Sequence, residues 1–204
     1  MELSMREGNF FQPRKPLRLS GFDYGQTGAY FITICTADRE NLFGHIIDGQ
    51  MQENKIGKTV HVLWHDLNNR FNSIETDAFV VMPNHVHGII IVGAQFIAPS
   101  KGLMNQAPTL GDIVRTFKAV SSREIRTSLL SRFAWQRNYY EHVIRDDKSL
   151  NRIREYIVTN PLRWELDREN PSAQGNDDFD IWLDGFKKKR NLQSGITKAN
   201  KIRP

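Results

Sequence analysis

The sequence predicts an α+β domain in which a mainly antiparallel sheet carries helices packed on one face. Two observations lead to this fold class. Strand-like and helix-like stretches follow one another in the order strand, hairpin, helix, two strands, helix, strand, helix. The chain has 204 residues, of which 39% are hydrophobic, so it is long enough to bury one sizeable core.

The first half of the domain reads as three strand regions and one helix. The run 30-YFITICTA-37 is β-branched and aromatic, which is typical of a strand. Asp48-Gly49 stands between two short strand-like runs and indicates a hairpin. Two more strands are predicted over 78–82 and 86–92, separated by Pro83-Asn84. Between the hairpin and these strands, apolar residues at spacings of three and four predict a helix: Ile56, Val60, Leu63, Leu67 and Phe71.

The second half begins after a loop-like stretch, 94–108. Thr109 opens a helix, because Asp112 stands three residues later in the position of a capping box. A strand is predicted over 138–145. The last helix begins near Asp146-Asp147 and ends by Asn160, since Pro161 disfavours helical geometry in the residue before it.

Three regions are predicted along the chain. Residues 1–28 form an N-terminal arm and residues 29–166 the folded domain. Residues 167–204 form a tail that is polar at first and then basic, with 187-KKKR-190 in it.

Composition limits the class of protein. The net charge is +5 and the pI about 9.4, which favours a polyanionic partner. Cys35 is the only cysteine, so an internal disulfide and a cysteine-rich zinc site are excluded. No apolar run approaches the roughly 20 residues of a membrane span, and the N-terminus lacks the apolar core of a secretory signal. We therefore expect a cytoplasmic protein with no membrane partner.

The stretch 79-FVVMPNHVHGIIIV-92 holds two histidines inside apolar sequence. In a strand, His85 and His87 point to the same face and Val86 to the other. Two imidazoles can bind a divalent metal, but two ligands leave the site incomplete. The alternative is a pair of core histidines satisfied by backbone groups or carboxylates, and the spacing alone does not decide between them.

Tyr156 and Asn160 are the candidates on the last helix. They lie one turn apart on the same edge of its apolar stripe. A tyrosine there could be a nucleophile, and an asparagine oxygen could complete a metal site. As alternatives, Tyr156 is a rim residue of an amphipathic helix, and Asn160 is an ordinary helix-end residue before a proline.

Taken together, these motifs resemble a known family. The H-x-H strand, preceded by Met82-Pro83-Asn84, resembles the HUH motif of single-tyrosine nucleases. The run 135-WQRNYYEHVIRDDKSLNRIREYIVTNPLRW-164 resembles the C-terminal signature of the REP-associated tyrosine transposases. The likeness covers roughly residues 15–166.

The resemblance implies a ferredoxin-like sandwich and an enzyme of DNA transposition. His85 and His87 would bind Mg²⁺ or Mn²⁺, with Asn160 as a further ligand. Tyr156 would be the nucleophile that forms a 5′-phosphotyrosine, and Tyr139 and Tyr140 are rivals that precede the family's position. The substrate would be single-stranded DNA folded into a REP-like hairpin, and the protein a bacterial monomer or homodimer.

Two alternative functions stay open. A replication-initiator or relaxase-type HUH nuclease usually carries further domains, for which this chain leaves little room. A non-catalytic nucleic-acid-binding module on the same fold would have lost the histidine pair or the tyrosine, and neither is lost here.

Overall fold

Two sheets form the frame of the computed structural model, which describes residues 28–93 and 108–186. The predicted arm, the 94–108 loop and the basic run 187–190 lie outside the described residues, apart from Gly28 and Pro108. The larger sheet is antiparallel throughout, in the order β4–β5–β1–β6. Its strands are β1 (Gly28–Cys35), β4 (Ile74–Val81), β5 (His85–Val92) and β6 (Tyr140–Ile144).

The smaller sheet is the predicted hairpin of β2 (Gly44–Ile47) and β3 (Gln50–Glu53). At its turn, Asp48 and Gly49 have φ angles of 50° and 71°. Positive φ at both central turn residues is the conformation that an Asp-Gly pair favours.

Four complete helices are present in the described part of the chain: α1 (Lys55–His65), the short α2 (Leu67–Arg70), α3 (Leu110–Ser128) and α4 (Asp147–Thr159). A fifth, α5, is described over residues 178–186. The helix predicted from residue 56 to residue 71 is thus two helices, which meet at Asp66.

The ends of α3 and α4 test the capping predictions. Thr109 and Asp112 form both halves of the predicted capping box of α3. The prediction that the last helix ends by Asn160 is confirmed, since α4 ends at Thr159. Asn160 itself keeps helical angles (φ −56°, ψ −39°) although Pro161 follows it. The chain continues beyond α4 as a 3-10 helix, Asn160–Leu166, with the proline in its first turn, where no backbone donor is needed.

The larger sheet buries both of its faces. On one face, Tyr30, Ile32 and Ile34 of β1 pack against α1 and α3 in a core that includes Trp64 and Phe117. Their neighbour Phe31 points to the other face and packs against α4 and α5.

The predicted fold class is confirmed: an α+β chain with a four-stranded antiparallel sheet and packed helices. The prediction that helices occupy one face holds for α1 and α3. In addition, α4 and α5 cover the opposite face, because Phe31 and Ile89 make that face apolar as well.

Residues 167–186 continue past the predicted end of the domain at residue 166. Phe179 and Leu183 of α5 are buried in the second core, together with Ile153 and Ile157 of α4. The domain limits themselves stay a prediction. Among the described residues, no helix has the length and apolar character needed to span a membrane.

Candidate metal centre

The two histidines of β5 lie side by side beneath α4. His85 is fully buried and His87 is 3% exposed, while Val86 between them belongs to the core on the other side of the sheet. The Nε2 atoms of the two rings are 2.9 Å apart. Strand geometry therefore gives the shared face that the H-x-H spacing predicts.

Asn84 determines which nitrogen of His85 carries its proton. The Nδ2 of Asn84 donates to the carbonyl oxygens of Arg39 and Glu169, at 3.2 and 2.8 Å. Its Oδ1 therefore faces Nδ1 of His85 at 2.8 Å and accepts the proton there. Burial lowers the pKa of His85 to about 4, so the ring is neutral at pH 7. Its Nε2 then presents a lone pair to the site.

Thr33 holds the second ring. It stands opposite His87 in the register of β1 and β5, and its Oγ1 lies 2.9 Å from Nδ1 of His87. When this Nδ1 carries the proton, the Nε2 atoms of both histidines present lone pairs to each other at hydrogen-bond distance. Two facing lone pairs repel unless a cation or a shared proton lies between them.

A carboxylate, that of Asp167, faces the histidine pair. Its Oδ2 lies 3.7 Å from Nε2 of each histidine, and the residue is 1% exposed. Burial alone would raise the pKa of this carboxyl, but His85, His87 and a hydrogen bond from Asn160 outweigh it and hold the pKa well below its usual range. Asp167 is therefore a buried anion. It was not predicted, and it lies in the segment assigned to the polar tail.

Tyr156 reaches the same point from α4. Its hydroxyl lies 3.3 Å from Nε2 of His87 and donates to Oδ2 of Asp167 at 3.5 Å. The ring is 3% exposed because Phe179 of α5 stacks on it, with the ring centroids 3.7 Å apart. Burial, followed by the negative charge of Asp167, raises the pKa of Tyr156. The side chain is thus a neutral phenol at pH 7.

Asn160 completes the group one helical turn later. It is fully buried, and its Nδ2 donates to Oδ2 of Asp167 at 2.9 Å. Its Oδ1 has no hydrogen-bond partner within the described ranges 28–93 and 108–186. An unsatisfied buried acceptor is unfavourable unless something else is bound to it.

These donors suit a divalent cation. His85, His87 and Asp167 form a buried group that could hold a metal ion. The 2.9 Å separation of the two Nε2 atoms is close to the value of about 3.0 Å for adjacent ligands at right angles on an ion with bonds of about 2.1 Å. The free Oδ1 of Asn160 offers one more oxygen. The identity of the ion and the role of Asn160 as its ligand stay predictions.

The rival tyrosines lie elsewhere. Tyr139 is half-buried against the core on the α1 and α3 side of the sheet. Tyr140 packs beside Phe31 on the side of the metal centre, with ring centroids 6.3 Å apart. The hydroxyl of Tyr156 is hydrogen-bonded within the group of histidines and Asp167.

Comparisons with known proteins give a relative by sequence and several solved structures of similar fold. The chain is 44% identical over 169 residues to an uncharacterized protein of Haemophilus influenzae, a match that covers 76% of this chain and 92% of that protein. No family model matches the chain.

Two of the similar folds belong to transposase structures. One is a REP-associated tyrosine transposase bound to a REP hairpin, with 20% identity, a TM-score of 0.42 and 67% of each chain covered. The other is the crystal structure of a proposed transposase from Deinococcus radiodurans, with 16% identity and a TM-score of 0.41, covering 69% of this chain and 95% of that one. Likenesses of this extent carry no conclusion about activity or ligands.

Proposed function

The chain belongs to the same protein family as the uncharacterized Haemophilus influenzae protein, and we propose that it is a metal-dependent endonuclease and strand transferase of single-stranded DNA. It acts on hairpin DNA of the REP type through a 5′-phosphotyrosine intermediate, as a member of the REP-associated tyrosine transposases. The sequence resemblance at residues 135–164 supports the family and the substrate, and the basic net charge of +5 agrees with a DNA partner.

One observation carries the proposal. The hydroxyl of Tyr156 lies 3.3 Å from Nε2 of His87, within a buried group of two imidazoles and a carboxylate. A nucleophile next to a set of metal-binding donors is what phosphodiester cleavage requires. A binding module would have no use for a buried phenol hydrogen-bonded to its metal ligands.

His85, His87 and Asp167 would hold the ion, and Asn160 would add its free Oδ1. A divalent cation bound there would neutralise charge on the phosphodiester and favour the phenolate of Tyr156. We propose Mg²⁺ or Mn²⁺, because a carboxylate and an amide oxygen are ligands that these ions accept.

In the cleavage step, Oη of Tyr156 attacks phosphorus and the bond from phosphorus to the 3′-oxygen breaks. The phenol proton passes to water, because a bound cation would favour the phenolate and Asp167, with its low pKa, would stay an anion. Water returns a proton to the departing 3′-oxygen, so the step is balanced. The new phosphodiester joins DNA to Tyr156 and keeps the energy of the old linkage. Attack by another 3′-hydroxyl then rejoins the strand without ATP.

Access to Tyr156 requires movement. The side chain is 3% exposed, with the ring of Phe179 stacked on it. A phosphodiester can therefore reach the hydroxyl only after α5 has moved away.

The test is covalent trapping with end-labelled DNA. Hairpin oligonucleotides are incubated with the full chain and Mn²⁺, and the products are separated under denaturing conditions. A label at the 3′ end should become attached to the protein, while a label at the 5′ end should not, because Tyr156 retains the 5′-phosphate.

Three variants complete the test. Tyr156→Phe should abolish the adduct, whereas Tyr139→Phe and Tyr140→Phe should retain it. An adduct in Tyr156→Phe would show that the nucleophile is wrong. If the wild-type chain binds the hairpin but forms no adduct with either label, the non-catalytic binding module replaces the enzyme.

A further inference from the structure

A basic groove runs along α3, on the surface away from the proposed nucleophile. It has a volume of about 650 Å³ and lies between the second half of α3 and the segment 134–137. Of the described residues that line it, none is acidic and four are basic: Lys118, Arg123, Arg126 and Arg137. One sign of charge along a groove attracts a polyanion.

Two of these residues hold the groove in shape. Lys118 donates to the carbonyl oxygens of Gln136 and Arg137, which fixes the segment that carries Arg137. In the same way, Arg126 donates through Nε to the carbonyl oxygen of Phe133 at 2.6 Å. The walls of the groove are therefore tied together by their own cations.

The guanidinium groups of Arg123 and Arg137 are available to bind a ligand. Both side chains are exposed. Across residues 28–93 and 108–186, neither guanidinium has an ion-pair or hydrogen-bond partner. By contrast, the exposed Arg115 and Arg132 pair with Asp112 and Glu40.

The groove leads towards the metal centre. A second hollow of about 660 Å³ shares Trp135, Gln136 and Arg137 with it and extends to Arg39 and Arg168. Arg168 directly follows the buried Asp167, and Arg39 pairs with Glu169. One acid, Asp38, lines this second hollow. The two hollows thus share three lining residues, and the second one reaches Arg168, next to Asp167 in the chain. We call the two hollows together the trench.

Among the described residues, its lining offers no exposed ring on which bases could stack. Trp135 is the aromatic residue of both hollows, but it is 8% exposed and its Nε1 donates to Oγ of the buried Ser121. Its ring packs against Phe117 and Phe133 in the core. Proteins that take up unpaired bases use exposed aromatic rings, whereas paired DNA is held by its phosphates.

We propose that this trench binds the phosphate backbone of the paired stem of a DNA hairpin and leads the adjoining single strand to Tyr156, with Arg123 and Arg137 as its phosphate contacts. The proposal rests on the proposed function and adds the surface by which the hairpin is held.

The test measures binding rather than cleavage. The full chain in EDTA is titrated into a fluorescent hairpin with a long stem, and into an unstructured oligonucleotide of equal length, at several salt concentrations. Replacing Arg123 and Arg137 together by glutamine should weaken hairpin binding roughly ten- to hundredfold at low salt and reduce the slope of log K against log salt by about 2. Binding of the unstructured strand should change less than threefold.

Lys58→Gln serves as the matched control, because Lys58 is an exposed cation on α1 that lines neither hollow. It should leave the affinity for both DNAs near the wild-type value. Unchanged hairpin binding in the double variant, or an equal loss on both DNAs, would overturn the stem-binding trench. Trapping on a stemless oligonucleotide that contains the cleavage site reports on Tyr156 alone. If this oligonucleotide forms the adduct while the double variant binds the hairpin normally, the trench proposal fails and the proposed nucleophile stands. If no adduct forms although the double variant loses hairpin binding, the nucleophile fails and the trench stands.

Discussion

At the scale of single residues, the centre depends on where each proton is held. The side-chain amide of Asn84 donates to two backbone carbonyls, so its oxygen accepts the hydrogen bond from Nδ1 of His85. Thr33 occupies the same place on His87. A metal-binding histidine whose other nitrogen is held in this way presents its lone pair without rearrangement.

Asn84→Ala should therefore weaken Mn²⁺ binding by about 10- to 100-fold, because the proton of His85 is no longer held on Nδ1. Isothermal titration gives the affinity, and nitrogen NMR of the histidine ring gives the tautomer. Asn84→Asp is the matched variant, since it keeps an acceptor for His85 and loses both donors to the carbonyls. It should bind Mn²⁺ more tightly than Asn84→Ala. Equal affinities would mean that Asn84 acts only through the backbone.

Asp180 makes the stability of the fold depend on pH. Burial, together with Asp167 and Asp177, raises the pKa of Asp180 to about 6, against the opposing charge of Arg168. The groups that face it are Arg168, Asp167, Asp177 and His87, with Asp184 bound to the same arginine. An unfolded aspartate titrates near 3.9. Between these two values the folded chain holds a proton that the unfolded chain has lost, so this contribution to stability is present at low pH and is lost as the pH rises through 6.

Asp180→Asn removes that titration. The free energy of unfolding of the wild type, minus that of Asp180→Asn, should fall by roughly 1–2 kcal/mol between pH 4.5 and pH 7. Urea denaturation at both pH values measures this double difference, in which the other carboxylates cancel. A constant difference would show that Asp180 titrates normally in the folded chain.

The site could be predicted from the sequence in part. His85, His87, Tyr156 and Asn160 each lie on a regular element, where a spacing of two in a strand or four in a helix places side chains together. Asp167 follows a 3-10 turn that contains Pro161, and no period connects it with α4. Nothing local in the sequence predicts that its carboxylate returns to the histidines.

At the scale of elements, α1 packs on the sheet through a contact between the Trp64 ring and Gly88. Gly88 follows the histidine pair on β5, and a Cβ atom there would collide with the ring of Trp64 of α1. Trp64 is fully buried and stacks on Phe79 of β4. The absence of a side chain at position 88 thus allows α1 to pack closely on the centre of the sheet.

Gly88→Ala should destabilise the chain by about 1–3 kcal/mol, because the Trp64 ring has no free space to move into. Gly185→Ala is the matched control: it adds the same methyl group to α5, where nothing lies within 4 Å. The control should be neutral or slightly stabilising, since alanine favours a helix over glycine. Thermal unfolding gives the melting temperatures of both variants. Equal melting temperatures would contradict the packing argument.

The helix α5 shows a signal that the sequence contained. Four large apolar residues recur at spacings of three, one and three: Phe179, Trp182, Leu183 and Phe186. This is one face of a helix, and Phe179 and Leu183 are buried on it. The acidic stretch before it favoured an interpretation as a polar tail. Acidic residues at the start of a helix are compatible with folding, because a helix N-terminus favours negative charge. Here the buried Asp177 accepts from the backbone N–H of Phe179 and pairs with Arg163.

At the scale of the whole molecule, periodicity identified the elements but not their arrangement. Strand order β4–β5–β1–β6 joins residues far apart in sequence, such as Thr33 and His87. An apolar run shows that a strand is buried and leaves its neighbour unspecified. The consequence is functional, because this order brings Thr33 beside His87 and α4 over both histidines.

Because the proposed ligands come from β5 and from the segment that follows α4, binding of an ion should stabilise the fold as a whole. Mn²⁺ at about 100 times its dissociation constant should add roughly 2.7 kcal/mol, which corresponds to a rise in melting temperature of about 5–10 °C for a chain of this size. Calorimetry in Mn²⁺ and in EDTA measures the rise. His85→Ala and His87→Ala should abolish it.

The same measurement separates the two oxygen ligands. The rise caused by Mn²⁺ is compared within each variant, so that a change in baseline stability cancels. Asp167→Asn should lose more of the rise than Asn160→Ala, because a buried carboxylate neutralises the ion and an amide does not. A full rise in Asp167→Asn would leave Asn160, the ligand predicted from the sequence, as the principal oxygen donor. A full rise in the histidine variants would place the ion outside this centre altogether.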